Sequence, residues 1–397
     1  MNYLRIGTDY FKKVQVPLSE IENYESIVKW SKREIIQDHG RNYLKSVPKY
    51  DGFCNIPSHL HFKAEINAFY NLYHPLGHKA EKGDWRTIEQ LLRHIFGDQF
   101  IRGLDYLTII YREPTQVLPI LALVSEERET GKTTFLQVMK LLFGKNLTIN
   151  TNEDFRSRFN SDWAGKLVIC IDEVLLDKRD DSERLKNLST AKTYKQEAKG
   201  KDKQEIPFYG KIILCSNNED NFVLIDNNEI RYWVRKVDSL KEEGKKVDPN
   251  FLSRIENEIP AFVYLLENRN IVTPKTSRMW FTKEQIHTEA LEKLIKGTTS
   301  SLLREILEVL KDLFVISESD QLSYGGRDLV LVLKENGVNT TTRKINDTLR
   351  NKLKVEYKNG SYEKFTVKFN ASNERYLDSI TERGRHFVFE RSIIDKF

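Results

Sequence analysis

The sequence predicts an α/β protein: a core of largely parallel strands, followed by a smaller unit of helices and a hairpin. Three observations carry this. Four short apolar runs, VLPILALVS (117–125), KLVICIDEV (166–174), GKIILCSNN (210–218) and IRYWVRKV (230–237), read as buried strands. Helical patterns alternate with them, as parallel connections require. A Gly-Lys-Thr tripeptide, residues 131–133, joins the first run to a helix.

Taken in order, residues 1–65 are aromatic-rich with turn signals at HGRN, VPKYDGF and IPSH, and form a segment with no assignable role. From about Lys63 the pattern turns helical. AEINAFYNLY (64–73) and WRTIEQLLRHIFG (85–97) space apolar residues three and four apart, and Gly97 closes the second. RGLDYLTIIYREP (102–114) adds a helix ended by Pro114. Residues 66–115 are therefore expected to form a helical collar. The core is expected over 116–275, with KTTFLQVMKLLFG (132–144) a helix stopped by Gly144 and KNLSTAKTY (186–194) helical. Beyond Trp280, KEQIHTEALEKLIKG and SLLREILEVLKDLF read as amphipathic helices and TTRKINDTLRNKLK as a short basic one. VEYKNGSYEKFTVKFN reads as a hairpin turning at Asn359-Gly360, with Phe365, Val367 and Phe369 alternating. Three helices and then a hairpin is the order of a winged-helix domain, placed at 276–397.

Composition narrows the function classes. The chain of 397 residues has 63 Lys+Arg against 58 Asp+Glu. A net charge of +5 supports a nucleic-acid partner only weakly, since an average can hide a basic stripe. Cys170 and Cys215 lie in apolar runs, no C-x-x-C pair exists, and no run approaches the ~18 apolar residues of a membrane span. A soluble protein of a reducing compartment is expected. His59, His61, His74 and His78 have zinc-like spacings without a cysteine or acidic ligand set, so a metal site is not expected there.

The chemistry concentrates in the core. A phosphate loop reads G-x-x-x-x-G-K-[ST], in which backbone N–H groups and a lysine hold phosphates and the hydroxyl binds Mg²⁺. Here Glu126 stands at the first glycine. The remaining signature is intact, so Glu129, Thr130, Gly131, Lys132, Thr133 and Thr134 are the candidate ATP-binding residues, with Thr133 and Asp172 on the metal. Asp172 and Glu173 end the second buried run, where an aspartate can support Mg²⁺ and a glutamate can polarise water. Asn217 ends the third, placed to orient water or contact a γ-phosphate. Arg231 and Arg235 alternate with Trp233, and either can reach a neighbouring subunit's nucleotide. Lys199, Lys201 and Lys203 alternate in a basic turn followed by Phe208 and Tyr209, either of which could stack a base. Arg343 and Lys344, with Arg350, Lys352 and Lys354, mark a basic helix able to sit on duplex DNA.

The order GKT, IDE, SNN and a late arginine, with the basic KTYKQEAKGKDKQEIPFYGK between the second and third, resembles the superfamily 3 helicases. The likeness is to the primase-helicases of bacteriophages, mobile elements and poxviruses, and it covers about residues 66–240. NLYHPLG…HIFGDQ…DYLTIIYREPTQVLPIL is similar to their lead-in. The resemblance implies an AAA+ core in a homo-oligomeric, usually hexameric, ring that hydrolyses ATP with Mg²⁺. Such a ring tracks on single-stranded DNA and unwinds forked duplex, generally 3′ to 5′. Carried over, Lys132 and Thr133 match motif A, Asp172 and Glu173 motif B, Asn217 the motif C asparagine, Arg231 the arginine finger, and Lys199-Gly200-Lys201 the DNA-tracking hairpin. No zinc-ligand set or room for a polymerase-like domain precedes residue 66, so priming is expected from a separate primase or polymerase. The expected location is the cytoplasm of a bacterial host. Two other readings stay open: a replication-initiator or loader ATPase that remodels DNA or partners without processive unwinding, and a non-catalytic DNA-binding ring. RNA in place of DNA also stays open.

Overall fold

The computed structural model describes residues 2–17, 23–176, 178–197, 203–225, 229–240, 250–369 and 375–395. The chain opens with strands β1 (Tyr3–Ile6), β2 (Asp9–Pro17) and β3 (Asn23–Trp30), helix α1 (Lys32–His39) and β4 (Lys49–Tyr50). They form a sheet ordered β3-β2-β1-β4. Alternation along the strands gives it two apolar faces: Tyr3 and Tyr10 pack with Ile35 of α1, and Leu4 and Ile6 pack with Tyr70.

The helix expected over 64–73 is absent. Strands β5 (Gly52–Cys54), β6 (Glu65–Ile66) and β7 (Phe69–Asn71) form a small sheet there. Ile66 pairs with Phe69 across Asn67 and Ala68, both at positive φ (47° and 63°), as a two-residue hairpin turn needs. Apolar residues at 66, 69, 70 and 73 mimic helical spacing, but the turn decides the structure. The helices that form in this stretch are α2 (Arg86–Phe96) and α3 (Phe100–Arg112).

The core follows as β8 (Ile120–Val124), α4 (Lys132–Phe143), β9 (Leu147–Asn150), α5 (Asn152–Arg156), β10 (Val168–Ile171), α6 (Arg179–Leu188), β11 (Thr193–Gln196), β12 (Gln204–Pro207), β13 (Lys211–Ser216) and β14 (Tyr232–Lys236). Five strands pair in parallel, in the order β14-β8-β13-β10-β9. Every residue of β8, β10 and β13 is buried, which explains their unbroken apolar runs. Cys170 and Cys215 lie inside two of these strands, fully buried. The helix expected over 186–194 ends at Leu188, and Thr193 and Tyr194 belong to the antiparallel pair β11–β12. Parallel strands put all their carboxyl ends on one edge, where an open α/β sheet binds ligands.

After α7 (Phe251–Asn268) and α8 (Lys283–Ile286), the two helices expected near 283–314 are one helix, α9 (Glu289–Ser317). Gly297 does not break it. A Cβ at Gly297 would lie 1.8 Å from the Asp220 carbonyl oxygen, so glycine is where helix and core loop touch. The N-terminal part of α9 buries Leu291 and Leu294 against the sheet. Its C-terminal part buries Ile306, Leu310 and Phe314 in a separate core. That second core also takes β15 (Gln321–Tyr324), α10 (Gly326–Glu335), α11 (Thr342–Thr348), β16 (Tyr357–Phe369) and β17 (Arg375–Glu390). The ribbon does not turn at Asn359-Gly360. Those residues pair with Arg385 and Gly384 inside the strands, because the residues on either side continue the ladder to Phe369↔Arg375. Among the described residues, no helix is long and apolar enough to cross a membrane.

Candidate nucleotide site

The phosphate loop leaves β8 at Ser125 and enters α4 at Lys132. Glu129 (φ 58°) and Gly131 (φ 85°) are left-handed. A Cβ at Gly131 would meet no atom closer than 3.6 Å, so φ and not space calls for glycine. His94 Nε2 of α2 meets the Thr130 carbonyl at 3.0 Å, pinning the loop to α2. Lys132 is 7% exposed; its amine donates to Ser125 Oγ and to Thr130 Oγ1 (3.1 Å). Burial holds it below the ordinary lysine value. Its hydrogen-bond partners are neutral hydroxyls, so an anion at the helix N-terminus would supply the missing counter-charge.

Two strands away, Asp172 follows β10. Thr133 Oγ1 donates to Asp172 Oδ2 at 3.3 Å. This pairs two hard oxygen donors beside Lys132, the donor chemistry Mg²⁺ takes. The residues present therefore fit a magnesium–nucleotide. Glu173 is exposed and left-handed at φ 51°, a conformation rare for a non-glycine residue. Asn152 Nδ2 holds its carbonyl at 3.0 Å, and Ser216 Oγ donates to the next carbonyl, Val174 O, at 2.8 Å. The acidic pair is thereby fixed to the end of β13.

That strand end separates the two asparagines. Asn218 Oδ1 accepts from the backbone N–H groups of Asp220 (2.9 Å) and Asn221 (3.0 Å), so it is committed to the turn. Asn217 is exposed and its side chain has no partner among the described residues. Glu219, two residues on, was not legible as part of the site. Its side chain is 3% exposed and is held by Lys293 of α9 (3.0 Å) and Lys236 of β14 (3.4 Å). Lys293 also reaches Glu126 (2.7 Å) and Asp220 (3.4 Å). These hydrogen bonds, Glu126 first, hold the Lys293 amine above the ordinary value. Glu126, at the first-glycine position, is thus tied to a helix rather than left idle. An aliphatic stem on an amphipathic helix gives no sequence signal for such a role.

The two arginines differ. Arg231 precedes β14 at the amino-terminal edge of the sheet, away from its own phosphate loop, and is paired with Glu229 at 2.9 and 3.0 Å. Arg235 lies inside the strand, 12% exposed, and binds Asp98 at the junction of α2 and α3 (2.9 Å). Trp233 is buried against Phe96 and Tyr106. Of the basic turn, Lys199 and Lys201 lie outside the described residues; Lys203 is exposed and paired with Glu197 at 3.2 Å. Phe208 does not offer itself to a base: it is 4% exposed and packs on Tyr194. Tyr209 is half-buried. Arg343 is exposed on α11 beside Asp347 (3.9 Å), and Lys344 follows it. His59 is half-buried and bonded to the Tyr111 carbonyl and the Tyr73 hydroxyl (both 2.6 Å), and burial pushes it down to about 4.

This is the architecture of an α/β protein with a phosphate-loop-like strand–loop–helix at the carboxyl edge of a parallel sheet. A family of unknown function, DUF5906, matches residues 123–233, the stretch from the phosphate loop to β14. Among solved structures, the apo C-terminal region of NrS-1 (residues 305–718) superimposes with a TM-score of 0.58 at 18% identity, over 95% of this chain and 94% of that one. An A-form apo structure of the same region gives 0.56 at 17% identity, covering 92% and 94%. At such identities the likeness is one of fold, and it spans the N-terminal sheet, the core and the C-terminal unit together. No curated protein matches the sequence.

Proposed function

We propose that the chain is an ATP-driven DNA helicase of the superfamily 3, AAA+ type, acting in phage or mobile-element replication as a ring, usually a hexamer. The observation that carries the reading is Lys132: a nearly buried amine held by neutral partners at a helix N-terminus, beside the Thr133–Asp172 pair.

In this reading Lys132 and the N–H groups of residues 129–134 bind the phosphates of ATP. Thr133 and Asp172 would hold Mg²⁺, which would supply charge neutralisation for the phosphates. Glu173, presented by its left-handed backbone, takes the proton of the attacking water, and Asn217 orients that water. Arg231, at the opposite edge of the sheet, serves the nucleotide of a neighbouring copy in this reading. The turn holding Lys199, Lys201 and Lys203 contacts the backbone of single-stranded DNA without reading bases. The C-terminal unit, with the order helix, strand, two helices and ribbon, is read as a winged helix whose α11 meets duplex DNA through Arg343 and Lys344.

The test is unwinding of a forked DNA by wild type and Lys132→Ala, with hydrolysis measured with and without single strands. DNA-stimulated hydrolysis and unwinding, both lost in the variant, are expected. Hydrolysis without unwinding would favour the loader reading, and absence of nucleotide binding would sink the motor.

A further inference from the structure

A cleft of about 400 Å³ lies beside the β11–β12 pair, apart from the nucleotide site. Four cations line it, Arg158, Arg184, Lys195 and Lys203, with two carboxylates, Glu197 and Glu205. Glu197 is shared by Arg158 (2.8 Å) and Lys203 (3.2 Å), and Glu205 accepts from the Thr193 hydroxyl. Arg184 and Lys195 have no carboxylate partner among the described residues. Arg184 is not loose, however. Its guanidinium lies 4.9 Å from the ring centre of Phe155 and 5.3 Å from that of the fully buried Trp163, with one bond to the Ser157 carbonyl at 3.4 Å. An arginine fixed on aromatic rings, with donors directed at a cationic cleft, is pre-organised for a phosphate.

We infer that this cleft is a phosphate subsite for single-stranded nucleic acid, in which Arg184 and Lys195 each contact a backbone phosphate as the strand passes the β11–β12 pair. The inference rests on the strand-tracking reading above and adds residues of α6 and β11 to it. A strand is favoured over a free nucleotide because the cleft runs beside the β11–β12 pair, apart from the nucleotide site, and its partly open shape lets a polymer pass.

The experiment is binding of a labelled oligothymidylate to nucleotide-free wild type, Arg184→Gln and Lys195→Gln across a salt series. ATP affinity is measured in parallel. Each variant is expected to bind the strand several-fold more weakly at low salt. Each should also flatten the slope of log affinity against log salt by ~0.7, the value of one phosphate contact on a single strand. ATP affinity and basal hydrolysis should not change. Since Arg184 packs on Trp163 and its loss can loosen that corner, the exposed Lys195 provides the control for folding. Unchanged strand affinity and slope in both variants would overturn the subsite and leave the helicase reading intact. Weaker ATP binding with unchanged strand binding would assign the cleft to a free nucleotide instead. The expected slopes in a protein that neither hydrolyses ATP nor unwinds would keep the subsite and refute the motor. A wild type that binds no single strand would refute both.

Discussion

Replacing Lys132 by methionine should make the nucleotide-free protein more stable and deaf to ATP. Lys132 is 7% exposed, and its amine is bonded only to neutral groups. Removing it relieves the desolvation of a buried charge, several kcal/mol per ion even after relaxation. Two hydrogen bonds of ~0.5–1.5 kcal/mol each are lost in return. The net gain should be on the order of 1 kcal/mol, and at ~2–4 °C per kcal/mol this raises Tm by a few degrees. Nucleotide at a hundred times its Kd adds ~2.7 kcal/mol to the wild type, a further shift of ~5–10 °C. A charge-assisted bond to phosphate is worth ~1.5–3 kcal/mol, so its loss weakens binding up to about a hundredfold. At the same ATP concentration the variant would then gain only ~0.4 kcal/mol, ~1 °C. Differential scanning with and without Mg-ATP reads both effects. A variant that melts lower than wild type and still shifts fully with ATP would make Lys132 a structural lysine.

The three-carboxylate clamp predicts a split in kinetics. Lys293→Gln should lower kcat more than it raises KM for ATP, since it frees the loop carrying Asn217, while ADP affinity stays near wild type and Lys293→Arg restores the rate; equal losses for ATP and ADP would mean a general binding role. Gly297→Ala drives a methyl into the Asp220 carbonyl, 1.8 Å away, and should lower stability by the ~1–3 kcal/mol of overpacking together with kcat; an unaltered Tm would show that helix and loop separate freely. In the C-terminal unit, burial pushes the Asp328 carboxyl up, but Lys364, Tyr362 and the Gly325 N–H outweigh it and hold it below the ordinary aspartate value. Its folded value is thus lower than its unfolded one. The stabilisation is complete above that ordinary value and disappears as pH falls through the folded one. Asp328→Asn should remove this acid limb from an unfolding profile followed by the fluorescence of the aromatic-rich ribbon, and an unchanged limb would contradict the assignment.

The core was legible because each of its signals has one physical source. Strands buried on both faces must be apolar along their length, as β8, β10 and the Ile212–Cys215 stretch of β13 are. A left-handed residue before a helix must be glycine or strained, as Gly131 is. The misreadings came where two patterns share a spacing. Ile66, Phe69, Tyr70 and Tyr73 fit one helix face as well as a hairpin, and the deciding fact was positive φ at Asn67 and Ala68. Asn359-Gly360 carries a hairpin signature, yet the paired strands run on past it on both sides. Phe208 follows a basic turn and looked available to a base, but the strand pair folds it onto Tyr194.

Glu126 shows why part of the site was out of reach. Read locally, it is a defect in a phosphate loop. In space it meets Lys293, which lies far along the chain on α9 and also holds Glu219 and Asp220. Glycine at that position would leave Lys293 with the two carboxylates of the Asn217 loop and no tie to the phosphate loop. Glutamate makes the phosphate loop, the Asn217 loop and α9 a single electrostatic unit, and α9 runs on into the core of the C-terminal unit. A shift in either loop when nucleotide arrives must then strain these ion pairs or move the helix. The exposed pair to Glu126 is the weak member, since solvent screens it, whereas Glu219 is buried. If the chain is the proposed motor, Glu126→Gln should therefore spare basal hydrolysis and loosen its response to DNA. Loss of basal hydrolysis would instead place Glu126 in the loop's own grip on phosphate.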